Sequence, residues 1–173
     1  MASGRYDDGQ GSVWGGAVGP NPTDRSKNGT KRSLLTEGAG GPLAVVVAPA
    51  NRHDTKLLKV TLEAIVVERP KPTKEKPQHL CLDKAYDNAP SDQVVAAYGY
   101  VEHTRRKGEK PLAKQARQYP ARRWVVERTF AWLSKCRALL VRYDKKTENY
   151  LGLLQFACAL LWYRRLAAKT GAT

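Results

Sequence analysis

The sequence predicts an α/β fold, a mixed sheet flanked by helices, and three observations carry that expectation. Apolar runs bounded by turn residues, at 42–48 (PLAVVVA) and 80–82 (LCL), read as buried strands. Leu57, Leu58, Leu62 and Ile65 recur at the spacing of one helical face. The chain of 173 residues is 42% apolar and 27% charged, a globular composition with enough length for one packed core.

Taken in order, residues 1–30 are a Gly- and Pro-rich segment with at most one edge strand, at 12–14. Residues 31–173 form the main domain. Residues 31–36 have a weak strand pattern, 37–41 (EGAGG) read as a hairpin turn, and 42–48 return as a strong strand. Asn51-Arg52-His53-Asp54 opens a helix, with Asp54 as the expected N-cap. Residues 68–77 (ERPKPTKEKP) are a solvated connector. The strand at 80–82 follows, then a helix over 92–98 stopped by Gly99, then a strand over 100–104.

Residues 105–123 form a basic loop. The next helix is expected over 122–141, with Val125, Thr129, Trp132, Cys136, Leu139 and Leu140 on its buried face. A last helix over 148–166 is expected to place its Leu, Phe and Trp residues in the core. Antiparallel strands followed by β/α alternation describe an RNase H-like layout, a mixed sheet flanked by helices.

The formal charge of +14 points to a polyanionic partner, nucleic acid before an anionic membrane surface. Cys81, Cys136 and Cys158 include no C-x-x-C pair, which argues against a zinc knuckle or a disulfide framework. They read as buried thiols in a reducing compartment. No signal-peptide core opens the chain, and residues 150–163 are too short an apolar stretch to span a bilayer, so the expected location is the cytoplasm.

Two carboxylates attract attention. Asp83 ends a strand, where an α/β sheet presents functional groups; it would equally cap the following helix. Glu127 sits on a helix, in line with the small residues Ala131, Ser134 and Ala138, which leave room for a metal, water or phosphate. It would equally pair with Arg123 on a solvated surface. Were the two acids to converge, they would suit divalent metal, in sites where two ions about 3.5–4 Å apart serve the attacking and leaving oxygens. A His-rich phosphohydrolase site is not supported, because His79 and His103 stand in contexts unrelated to His53.

Four motifs occur in order: Gly19-Pro20-Asn21-Pro22-Thr23-Asp24-Arg25, Ala50-Asn51-Arg52-His53-Asp54, Leu82-Asp83-Lys84-Ala85-Tyr86-Asp87 and Arg122-Arg123-Trp124-Val125-Val126-Glu127-Arg128-Thr129. Together they resemble bacterial insertion-sequence transposases of the DDE type, specifically insertion-sequence family five, from about residue 15 to about 166. The resemblance implies an RNase H-like core, magnesium (or manganese) dependence, and cutting and joining of transposon ends. By it Asp83 matches the second catalytic and metal-holding Asp, Glu127 the catalytic Glu, and Arg123 the basic residue before that Glu.

The first acid of the family precedes the GPNPTDR motif; Asp7-Asp8-Gly9 is the available match, about two residues short in spacing, and Asp8 is taken as the counterpart. The helical DNA-binding part usual in such enzymes has no counterpart in the sequence, so the chain reads as a truncated copy or a second reading frame. Implied partners are DNA ends and target, further copies of the chain in the transposition complex, and an upstream-frame N-terminal part. Arg105, Arg106, Lys107, Lys110, Arg122, Arg123 and Arg128 are the expected DNA contacts, and a nucleoid-associated location follows. Two functions stay open: a catalytic core that cuts and transfers DNA strands, and a non-catalytic DNA-binding remnant lacking a complete acid triad.

Overall fold

The computed structural model describes residues 16–23, 27–108 and 123–171. The element order is β1 (Gly19–Pro20), β2 (Asn28–Thr36), β3 (Pro42–Pro49), α1 (Asp54–Glu63), β4 (Gln78–Leu82), a 3-10 turn (Lys84–Tyr86), α2 (Ala89–Ala97), β5 (Tyr100–Thr104), α3 (Arg123–Leu133), α4 (Arg137–Leu140) and α5 (Thr147–Thr170). The α/β class is therefore as expected. Among the described residues the strands lie in two sheets, an antiparallel β1-β2-β3 and a parallel β4-β5.

The β2–β3 hairpin closes through Glu37, whose carboxylate accepts from the Ala39 and Gly41 amides at 2.6 and 2.7 Å. Gly40 supplies the turn's positive φ of 91°, a conformation costly for residues with a Cβ. Alternation along β2 sends Leu34 to one face and Leu35 to the other. Leu34 packs with Leu133, Leu139 and Leu154, a core contributed by α3, α4 and α5. Leu35 packs beneath α1, whose Leu58 and Leu62 also meet Leu80 of β4 and Val95 of α2. That second core spans both sheets and holds them together.

Several expectations change. The N-cap of α1 is His53, extended at φ −68°, ψ 139°, with Thr55 donating its amide to the His53 side chain. Asp54 is already inside the helix, where a carboxylate complements the positive end of the helix dipole. The helix expected over 122–141 is broken after Leu133, where the Lys135 and Cys136 amides return to carbonyls only three residues back. Its buried face is Val125, Thr129 and Leu133, while Trp132, Cys136 and Leu140 are exposed.

The cysteines also depart from expectation, since Cys81 and Cys136 are exposed and Cys158 is half-buried. On β4 the reason is alternation: Leu80 and Leu82 take the core face, leaving Cys81 on the other with His79. In α5 only Tyr150, Leu154 and Ala157 are fully buried; Phe156 is 63% exposed. Helical spacing places Leu153, Phe156, Leu160 and Tyr163 together on a flank beside that seam.

Candidate active site

A cavity of about 680 Å³ lies between the two sheets. Arg32 to Thr36 of β2 form one wall and His79 to Leu82 of β4 the other, while Val125, Val126 and Phe130 of α3 close a side. Asp83, Asp54 and Tyr86 also border it. The carboxyl end of β4 is thus part of the cavity's border, where the chain leaves the strand and its side chains are no longer committed to the sheet.

Asp83 is exposed and held in an extended conformation, with its Oδ1 accepting from the Lys84 amide at 2.6 Å. The cap reading is met, since the carboxylate caps the 3-10 turn, and Asp83 also borders the cavity. Burial pushes the Tyr86 hydroxyl up to about 12, and the nearby Asp54 and Asp83 charges push the same way. These three groups therefore share one electrostatic environment. Asp54 is balanced by Lys31 at 3.0 Å.

Glu127 lies on the exposed side of α3. The neighbouring residues Val126 and Phe130, not Glu127, line the cavity. The helix that carries it is fixed by polar contacts with the β2–β3 turn: Thr129 Oγ1 donates to the Gly40 carbonyl at 2.8 Å and Arg128 donates to Ala39 at 2.6 Å. Among the described residues no group of three His, Cys, Asp or Glu side chains is arranged to hold a metal. Asp8 lies outside the described residues.

The basic residues divide into distinct roles. Arg105 and Lys107 are exposed after β5. Arg106 is engaged by carboxylates, with Asp87 and Asp92 each 3.0 Å from Nη1 and Glu102 3.6 Å from Nη2. Arg128 stacks over the Trp124 ring at 4.8 Å while reaching Ala39. Arg123 opens α3; Lys110 and Arg122 lie outside the described residues.

Sequence reasoning missed the Arg106 cluster, because its partners come from three separate elements. The nearest signal was Asp87 in the Asp83–Asp87 motif, an acid with several roles open to it. Also unforeseen was the contact between His79 and His103, whose ring nitrogens lie 2.7 Å apart across β4 and β5.

Comparison with known proteins agrees with the four motifs. A family model described as the transposase DDE domain matches residues 5–162. The chain is 30% identical over 156 residues to the Burkholderia cepacia protein named "Putative transposase for insertion sequence element IS402", covering 86% of this chain and 70% of that one. No solved structure matches significantly. With the family match running nearly the whole length of the chain, and with the strand-end Asp83 and the helix of Glu127 both inside it, the chain belongs to the DDE transposase family.

Proposed function

We propose that the chain is the RNase H-like catalytic core of an insertion-sequence transposase, cutting DNA strands at the element's ends and joining the freed 3′ hydroxyl to target DNA. The observation that carries this reading is the shared cavity. Its carboxyl-end border is Asp83, and one of its sides is the helix that bears Glu127. In this reading Asp83, Glu127 and Asp8 are the metal-holding acids.

Carboxylate oxygens are the hard donors that magnesium and manganese prefer, so the residues suit an oxygen-ligated ion. When bound, such an ion activates an attacking oxygen and stabilises the leaving one. The chain's own groups do the rest. The Lys84 amide orients the Asp83 carboxylate through the 2.6 Å cap bond. Exposed Arg105 and Lys107 supply positive charge for DNA phosphates, the partner that a formal charge of +14 favours. Among the described residues no helix is long and apolar enough to cross a membrane.

The test is strand cleavage on DNA carrying the element's ends, with magnesium or manganese. Asp83→Asn and Glu127→Gln are each expected to lower the rate by roughly a hundredfold or more while the far-UV spectrum stays unchanged, as loss of a site's geometry does. A wild-type chain that binds this DNA but never cuts it, under conditions where a relative from the same family does, would establish the DNA-binding remnant instead.

A further inference from the structure

We infer that Arg106, which its charge and position suggest for phosphate contact, instead acts as a positioning residue that clamps the Asp83 turn; this rests on the proposed role of Asp83. The turn from Asp83 to Asp87 is short: Asp83, Lys84 and Ala85 are exposed, and Tyr86 is its apolar anchor on the core beneath α1. Its start is fixed by the Asp83–Lys84 cap. Its end is fixed by Asp87, whose two oxygens are both taken. Oδ1 accepts from Arg106 Nη1 at 3.0 Å, and Oδ2 accepts from the Lys107 amide at 2.5 Å. The Asp87 amide in turn donates to the Lys84 carbonyl at 3.2 Å. The stretch after β5 therefore grips the turn after β4.

One guanidinium makes this possible. Arg106 also reaches Asp92 on α2 at 3.0 Å and Glu102 on β5 at 3.6 Å, so the turn, the helix that follows it and the neighbouring strand are tied at one point. Glu102 Oε1 is buried with no hydrogen-bond partner among the described residues, and Arg106 Nη2, 3.6 Å from the other oxygen Oε2, brings positive charge to that carboxylate. A planar fork with five donors suits such a multi-carboxylate node; a lysine ammonium is a single point of charge. Consistent with that node, the hydrogen bond from Arg106 holds the Asp87 carboxyl below its ordinary range, and the Asp87 and Asp92 carboxylates hold the Arg106 guanidinium above its own. With its charge shared among three carboxylates, Arg106 has little attraction left for a phosphate.

The experiment compares Arg106→Ala, Arg106→Lys and Asp87→Asn with wild type in three measurements. The first is hydrogen exchange of the Lys84–Asp87 amides, which needs no activity. Faster exchange is expected in all three variants, including Arg106→Lys, which keeps the charge. The second is DNA affinity against salt. Its slope is expected to stay at the wild-type value, whereas loss of a phosphate contact would lower it by about 0.9.

The third measurement is cleavage, where the rate at saturating DNA should fall by about tenfold to a hundredfold at unchanged half-saturation. Unchanged exchange together with a reduced salt slope in Arg106→Ala would overturn the inference and make Arg106 a phosphate contact. A wild-type chain without cleavage would count against the proposed function alone, since exchange and salt slope still decide the clamp. If Arg106→Ala does not fold, Asp87→Asn and Arg106→Lys carry the same comparison.

Discussion

Thr129 of α3 donates its hydroxyl to the carbonyl of Gly40, 2.8 Å away in the turn between β2 and β3, and the pair is buried. This contact sets where the helix bearing Glu127 lies against the sheet. Replacing the hydroxyl with a methyl group in Thr129→Val leaves the Gly40 carbonyl without its side-chain donor. The expected loss is about 1–3 kcal/mol, the cost of an unsatisfied buried polar group. Chemical denaturation checks it; a variant as stable as wild type would show that the contact contributes nothing.

Gly41 presents a second constraint on the same corner. A Cβ there would run into the ring of Trp162, which itself donates to the Pro42 carbonyl at 2.8 Å. Gly41→Ala must displace that ring or the hairpin, and overpacking of this kind costs about 1–3 kcal/mol. Thermal unfolding of Gly41→Ala beside Gly38→Ala, a change in the same turn at an exposed position, should show the larger drop for Gly41.

The Glu37 carboxyl predicts an acid response. Burial pushes its pKa up, but the Ala39 and Gly41 amides and Arg165 together outweigh this and hold it below the ordinary 4.5. A lowered folded-state value means that the ionised form stabilises the fold. That contribution is complete above about 4.5, the unfolded value, and is lost as pH falls through the lowered folded value. Wild type should therefore lose stability more steeply than Glu37→Gln below that pH. Parallel curves of stability against pH would refute the assignment.

The thiols should separate by reactivity. Burial pushes Cys158 up to about 11, which suppresses the reactive thiolate near neutral pH. Cys81 and Cys136 are exposed. A neutral alkylating reagent at pH 8 should modify Cys81 and Cys136 well before Cys158, as read by peptide mass mapping. Early labelling of Cys158 in folded protein would contradict the packing of α5.

DNA binding should depend on exposed basic residues after β5. Charge reversal at Arg105 or Lys107 is expected to weaken binding to all sequences alike, and each lost phosphate contact should lower the salt slope by about 0.9. Gel-shift titrations across a salt series measure both. A loss confined to one sequence would mean base recognition, not phosphate contact.

Much of this molecule is legible in one dimension. The apolar run of β3, the bounds of β5 and the Gly99 stop are local signals, because strand alternation, turn chemistry and the positive φ of 68° at Gly99 depend on adjacent residues. The order of four motifs likewise identified the family before any fold was considered, since spacing along the chain survives without geometry. Asp83 at the end of β4 belongs to the same class of inference.

Tertiary structure alone decided the rest, wherever a residue's role depends on what packs against it from elsewhere. Nothing local makes Leu133 rather than Trp132 the buried residue of α3; the approach of β2 and α5 does. Nothing local keeps Phe156 exposed on α5, where an apolar helix meets the core along only one narrow seam. Arg106 shows the principle most directly. Within its basic run it is one cation among several, and only the convergence of Asp87, Asp92 and Glu102 from a turn, a helix and a strand determines where its charge goes.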